Sequence, residues 1–94
     1  MLERTLEKNV CIYIKKLGGL AYKFVSPGRD GVPDRICVMP DGKVLFIELK
    51  RPGEKPRPNQ LKVHKDLQDR NQIVWVVDNL EDLKNKLKGL GYGV

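Results

Sequence analysis

The sequence predicts an α/β domain in which helices pack on one mixed β-sheet, in the element order α-β-β-β-α-β-α. Apolar residues recur at helical spacing near both ends of the chain, and short apolar runs separated by glycine and proline fill the middle. An Asp41-Gly42 pair between two of those runs predicts an antiparallel hairpin. With 94 residues we expect one domain with a thin core.

The first half of the chain predicts one helix and three strands. The helix covers residues 2–17, where apolar positions recur every three or four residues and Gly18-Gly19 follows. The strands are predicted at residues 20–25, 35–39 and 43–50. The third is almost continuously apolar, which is typical of a strand inside a sheet.

The second half predicts a helix, a strand and a helix. A proline-rich basic loop, residues 51–59, leads into a helix over residues 60–70 with Pro58 in its first turn. Residues 73–77 (IVWVV) form a short buried strand. Four leucines at spacings of 3, 4 and 3 then predict an amphipathic helix with a polar cap and a terminal glycine. The leucines are Leu80, Leu83, Leu87 and Leu90, the caps Asp78 or Asn79, and the glycines Gly89 or Gly91.

The composition favours a polyanionic partner. Eighteen Lys and Arg residues against 12 Asp and Glu give a net charge of +6, and nucleic acid is the commonest partner of a small basic domain. No apolar run is long enough to span a bilayer, so we expect no membrane partner. The first ten residues carry charges throughout, unlike a secretory signal. We therefore expect a cytoplasmic protein that is not secreted.

The cysteine and histidine content argues against zinc. Cys11 and Cys37 lie 26 positions apart, and the chain has one histidine, His64. A structural zinc site needs about four such ligands. Without a secretory signal the compartment is reducing, so we expect two free thiols rather than a disulfide.

Two acids and a lysine are predicted to meet at one end of the sheet. Asp34 opens the second strand, which in a hairpin lies beside the end of the third. Strand alternation places Glu48 and Lys50 on one face of that third strand. A carboxylate on a buried strand must be paired, hydrogen-bonded or bound to a metal.

Such a convergence has a chemical use. Two carboxylates, with the backbone carbonyl of Leu49 nearby, form an oxygen-ligand site suited to Mg²⁺, and Mn²⁺ fits the same hard donors. Lys50 can orient or help deprotonate a water held by the metal, or stabilise charge on a phosphate. These parts would hydrolyse a phosphodiester. The alternative is that Glu48 and Lys50 are only ion-pair partners at a strand end.

The chain resembles a known nuclease family. The succession Gly31-Val32-Pro33-Asp34, Glu48-Leu49-Lys50 and Gln60 is similar to the PD-(D/E)XK nuclease superfamily and, within it, to the small stand-alone phage and bacterial members of the VRR-NUC family. The resemblance covers nearly the whole chain, including residues 17–19, 22–28 and 52–53. It implies a single VRR-NUC-like nuclease domain over residues 1–94 with a restriction-endonuclease-like fold, working in a bacterium or a phage-infected cell.

The resemblance also implies residue roles. Asp34 and Glu48 match the metal-binding acids, with the Leu49 carbonyl as a further ligand, and Lys50 matches the catalytic lysine. Gln60 matches a glutamine that faces the site.

In the family a glutamate on the first helix usually completes the site. Glu7 is preferred here because it stands eleven positions before Gly18-Gly19, as the family glutamate does, and Glu3 is the alternative. His64, one helical turn after Gln60, is left outside the catalytic set.

The activity implied is that of a Mg²⁺-dependent endodeoxyribonuclease acting on branched DNA of the four-way (Holliday) junction or flap type, as in DNA repair. Phosphate contacts are expected from cations near the site: Lys23, Arg29, Arg51, Lys55 and Arg57. A homodimer is expected, sharing the apolar surface of residues 80–92 across a two-fold axis. The alternatives are a basic nucleic-acid-binding module without turnover and a restriction-type endonuclease.

Overall fold

The computed structural model describes residues 3–93, and the side chain of Glu3, the alternative first-helix acid, lies outside the described residues. Three helices and four strands follow in the predicted order α-β-β-β-α-β-α. They are α1 Glu3–Lys16, β1 Leu20–Lys23, β2 Arg35–Val38, β3 Val44–Leu49, α2 Pro58–Gln68, β4 Ile73–Val77 and α3 Leu80–Gly89. The sheet order is β1-β2-β3-β4, antiparallel up to β3 and parallel between β3 and β4, which confirms the mixed sheet.

The hairpin that aligns the site residues is the one predicted. β2 and β3 pair antiparallel with Arg35 opposite Ile47, and the Met39 N–H donates to the Lys43 carbonyl at 2.8 Å to close the turn. Gly42 has φ of 90°, a left-handed conformation that glycine adopts without steric cost. The start of β2 therefore lies beside the end of β3.

Several element boundaries differ from the prediction by one or two residues. β1 ends at Lys23, two residues before the predicted end, although the Phe24 N–H still donates to the Asp34 carbonyl at 2.8 Å. α2 begins at Pro58, two residues before the predicted start, because proline fits the first helical position without losing a hydrogen bond.

The two faces of the sheet have different roles. Leu45, Ile47 and Leu49 of β3 point to one face and are at most 1% exposed; there they pack against α1 and α3 in the main core. Phe46 and Glu48 point to the other face, which α2 partly covers. The βαβ crossover of β3, α2 and β4 thus places one helix over the polar end of β3.

The apolar residues of the last helix and tail belong to the core of the same chain. Leu83 and Leu87 are fully buried, Tyr92 packs against the core, and its hydroxyl donates to the Asp41 carboxylate at 2.6 Å. The prediction of residues 80–92 as a dimer surface is therefore corrected for Leu83 and Leu87, which the core of the same chain covers, whereas Leu90 is 37% exposed. No helix within residues 3–93 is long and apolar enough to cross a membrane.

Both cysteines are free thiols, as predicted, but they differ in access. Cys37 is fully buried on β2, and this burial raises its pKa to about 12. Cys11 is half-buried on α1.

This difference in access predicts a difference in reactivity. We expect a maleimide reagent at pH 8 to modify the Cys11 thiol in the native protein and the Cys37 thiol only in denaturant. Mass spectrometry of the Cys11→Ser variant provides the control, since fast labelling of that variant would contradict the burial of Cys37.

Candidate active site

Two hydrogen bonds from backbone N–H groups hold Asp34 beside the end of β3. Its carbonyl accepts the Phe24 N–H at 2.8 Å, and its carboxylate Oδ2 accepts the Leu49 N–H at 2.7 Å. The preceding Pro33 is buried, which holds this segment against the sheet. The carboxylate therefore lies next to the backbone of the residue that follows Glu48.

Glu48 is the buried acid of the site, with only 1% of its surface exposed. Its Oε2 lies 3.3 Å from Gln60 Nε2 and 3.7 Å from Lys50 Nζ, and its Oε1 lies 3.4 Å from His64 Nε2. A carboxylate is kept in such a place only when partners offset its loss of hydration. Lys50, which directly follows β3, and two polar side chains from α2 supply that compensation.

Gln60 links the start of α2 to Glu48. Its Oε1 accepts the Arg57 N–H at 2.8 Å, satisfying a backbone donor at the helix N-terminus, while its Nε2 donates to Glu48. The amide is thus oriented from both ends, and the side chain is 6% exposed. The structure thus places Gln60 in contact with Glu48.

His64 contacts Glu48, although the sequence analysis left it outside the catalytic set. It is 4% exposed, and burial, with the Lys50 ammonium nearby, lowers the pKa of its imidazole. The neutral ring donates to Glu48 when its proton is on Nε2. The signal in the sequence was its position one turn after Gln60, but a lone histidine at that spacing is equally typical of packing.

Glu7 has a different partner. Its carboxylate forms an ion pair with the guanidinium of Arg35, the first residue of β2, whose side chain is 16% exposed. The pair anchors α1 beside Asp34, which directly precedes Arg35 in the chain. Nothing in the local sequence pattern separates Arg35 from a solvated strand residue, so its contact with Glu7 was not predictable.

The donors fit a divalent cation of the magnesium type. Within residues 3–93, no three His, Cys, Asp or Glu side chains form a ready metal-binding group. Mg²⁺ is commonly held by one or two carboxylates, with waters and substrate phosphate oxygens filling the other positions. Asp34 and Glu48 meet this requirement as oxygen donors at one end of the sheet.

The predicted phosphate-binding cations lie around this end of the molecule. Arg51, Lys55 and Arg57 are exposed in the loop that runs from Lys50 to α2. Lys23 is exposed at the end of β1, opposite Arg35, and Arg29 is exposed in the loop before Asp34. Arg29 forms an ion pair with Asp66 of α2 at 3.0 Å, a partner that the sequence did not reveal.

Comparison with known proteins identifies relatives on two independent grounds. A phage protein named “Putative nuclease p44”, from Acyrthosiphon pisum secondary endosymbiont phage 1, is 49% identical over 85 residues, which is 90% of both chains. A solved structure described as “VRR_NUC domain” superposes with a TM-score of 0.85 at 33% identity, covering 93% of this chain and 94% of the other. A scan against family models gives no match.

Proposed function

This chain belongs to the VRR-NUC family of nucleases, and we propose that it is a Mg²⁺-dependent endodeoxyribonuclease that hydrolyses phosphodiester bonds in branched DNA. The observation that carries the proposal is the buried Glu48 carboxylate, with Lys50 Nζ at 3.7 Å, beside the fixed Asp34. Titratable groups grouped around a buried carboxylate in this way mark a candidate functional site. Asp34, Glu48 and Lys50 also follow the PD-(D/E)XK pattern.

We assign the metal to the two acids. Asp34 and Glu48 would hold Mg²⁺, with Mn²⁺ as a substitute, and the Leu49 carbonyl would be a further ligand. Glu7 would join this set by exchanging its contact with Arg35. When bound, the cation neutralises charge on the phosphate and lowers the pKa of water.

Lys50, Gln60 and His64 would position the reacting groups and stabilise the charge of the site. Lys50 lies close enough to Glu48 to share its site, and its ammonium would orient the attacking water or stabilise the phosphate as negative charge develops. Gln60 and His64 fix the rotamer of Glu48 from the α2 side. A carboxylate held by three partners loses little further freedom when the substrate binds.

A non-catalytic DNA-binding module is the second candidate. The positive charge of +6 favours it equally, because phosphate binding requires only cations. A module that only binds DNA would have no use for the buried Glu48 carboxylate, because its negative charge repels phosphate.

The form of the protein that acts on a four-way junction would be a homodimer, since two sites related by a two-fold axis can nick two strands symmetrically. With Leu83 and Leu87 used in the core, the edge strand β1 offers an alternative contact. Its Leu20 and Tyr22 side chains are 55% and 56% exposed and point to the same face of the sheet. Light scattering at micromolar concentration tests this: a monomer that cuts flaps but not junctions would contradict the dimer.

The substrate class is tested with a panel of labelled DNAs: four-way junction, flap, splayed arm, linear duplex and single strand, each with Mg²⁺ or with EDTA. We expect cleavage of the branched forms in Mg²⁺ and little cleavage of linear duplex. Equal cleavage of linear and branched duplex would contradict structure selectivity. Cutting at one fixed sequence in linear duplex would instead indicate a restriction-type enzyme.

Loop cations should make DNA binding dependent on salt. If Arg57 contacts one phosphate, Arg57→Ala is expected to reduce the slope of log affinity against log salt by about one. Fluorescence anisotropy from 50 to 300 mM salt in EDTA provides the measurement. Lys88→Ala, which removes an equally exposed cation at the end of α3, is the control and should leave the slope unchanged. An unchanged slope for Arg57→Ala would show that this side chain is only solvated.

A further inference from the structure

A groove lies outside the candidate active site, between the loop of residues 26–31 and the outer face of α2. Its volume is about 390 Å³, and it is lined by Arg29, Val63, Asp66, Leu67 and Arg70. Val63, Asp66 and Leu67 of α2 are three or four residues apart and share one face of the helix, and Arg70 follows in the turn after its last residue. Glu48, Gln60 and His64 of the polar cluster described above are not among the residues that line the groove.

The loop is held tightly against α2. Gly31 has φ of +93°, and a Cβ at this position would lie 2.6 Å from the Asn59 carbonyl oxygen. The groove therefore has a fixed wall, and it begins close to Gln60, which contacts Glu48. At 1.5 Å per residue, Asp66 is about 9 Å along the helix from Gln60. A DNA strand that crosses the active site would reach this groove within a few nucleotides.

The lining combines an apolar floor with cationic rims. Val63 is 7% exposed and Leu67 half-buried, so the floor offers carbon atoms to a flat ligand. Arg29 and Arg70 are exposed at the edges, and their planar guanidinium groups can stack on a base as well as bind phosphate. The volume is at the lower end of the range of about 300–1,000 Å³ typical of small-ligand sites.

We propose that this groove is a subsite for one unpaired nucleotide of the DNA substrate. The base lies on Val63 and Leu67 beside the Arg70 guanidinium, and the phosphate binds Arg29. A base inside intact duplex is stacked between its neighbours and cannot enter, so the subsite favours strands with unpaired nucleotides. This inference rests on the proposed function and deepens it, because it assigns a preference for flaps and other branched DNA with unpaired nucleotides to named residues.

Asp66 is the counter-ion that the phosphate replaces. Its carboxylate is 3.0 Å from Arg29, and the two side chains are 44% and 56% exposed. Such exposed pairs contribute little stability, so Arg29 can exchange the carboxylate for a phosphate at small cost. Arg70 is anchored separately, because its Nη1 donates to the Asp66 backbone carbonyl at 2.9 Å. Asp66 therefore lowers the affinity of the empty groove for anions.

The test compares single-stranded and duplex DNA of 12 nucleotides by fluorescence anisotropy in EDTA, where cleavage is suppressed. Asp66→Asn is expected to tighten single-strand binding about threefold or more, and Arg70→Ala to weaken it about fivefold or more. Leu67→Ala should weaken it without any change of charge. Duplex affinity should change less than twofold in Leu67→Ala, and thermal unfolding verifies that each variant is folded.

Matched controls separate the groove from general electrostatics. Asp82→Asn on α3 removes a carboxylate that pairs with Lys86 at 2.8 Å, and Lys88→Ala removes an exposed cation; neither should discriminate between the two DNAs. Groove variants with wild-type single-strand affinity, or with equal losses on both DNAs, in a protein that cuts branched DNA would overturn the subsite alone. A wild-type protein that neither binds nor cuts any DNA would overturn the proposed function itself.

Discussion

Glu48→Gln is expected to reduce the rate of DNA cleavage by about 10²–10⁴-fold while the protein stays folded and still binds DNA. The amide keeps the shape of the side chain among Gln60, His64 and Lys50 but removes the charge that would hold the metal. Asp34→Asn should have the same effect for the same reason. Lys50→Ala should be as severe, because its ammonium acts in the chemical step.

Single-turnover cleavage of a labelled four-way junction or flap gives these rates, and anisotropy in EDTA gives binding. Lys43→Ala is the matched control for Lys50→Ala, since Lys43 is exposed beside the turn at the opposite end of β3. Its rate should equal that of the wild type. Wild-type turnover by any one of the three site variants would refute the role assigned to that residue.

Gly31→Ala is expected to destabilise the fold by at least about 2 kcal/mol, or to lower its melting temperature by about 8–16 °C. Alanine is strained at φ of +93°, and its Cβ would lie 2.6 Å from the Asn59 carbonyl oxygen. Since this contact is with backbone, either the loop or the start of α2 must move. Both elements carry site residues, so cleavage should fall with stability.

Gly28→Ala provides a control in the same loop, because a Cβ there has no neighbour within 4 Å among the described residues and Gly28 has no left-handed φ. Thermal and urea unfolding of the two variants give the comparison. Equal stability of Gly31→Ala and Gly28→Ala would show that the loop does not press on α2 as described.

The placement of Asp34 beside the end of β3 was predictable because it depends on local rules. A three-residue turn, Pro40 to Gly42, sets the register of β2 and β3, and side-chain alternation then decides which face each residue occupies. The same rules predicted the mixed sheet and the element order. Family membership and nuclease activity, expected from the motifs around Asp34, Glu48 and Gln60, are confirmed by the relatives.

Contacts between helices and distant loops were not predictable in this way. Glu7 and Arg35 are 28 positions apart, and Arg29 and Asp66 are 37 apart, so their pairing depends on how α1 and α2 pack on the sheet. The leucines of α3 were ambiguous for a related reason. An apolar stripe on a helix predicts that the stripe is buried, but not whether it is buried in the core of the same chain or against a second chain.

In the proposed mechanism, Asp34 and Glu48 hold the divalent cation with which the chain hydrolyses DNA. The most direct test is the cleavage rate of a labelled branched DNA as Mg²⁺ is raised from zero, in EDTA-treated wild type and Glu48→Gln protein. The account predicts no cleavage by the wild type without metal, a saturable rise with Mg²⁺, and a flat response for Glu48→Gln over the same range. Cleavage that persists in EDTA, or a Glu48→Gln curve that matches the wild type, would contradict it.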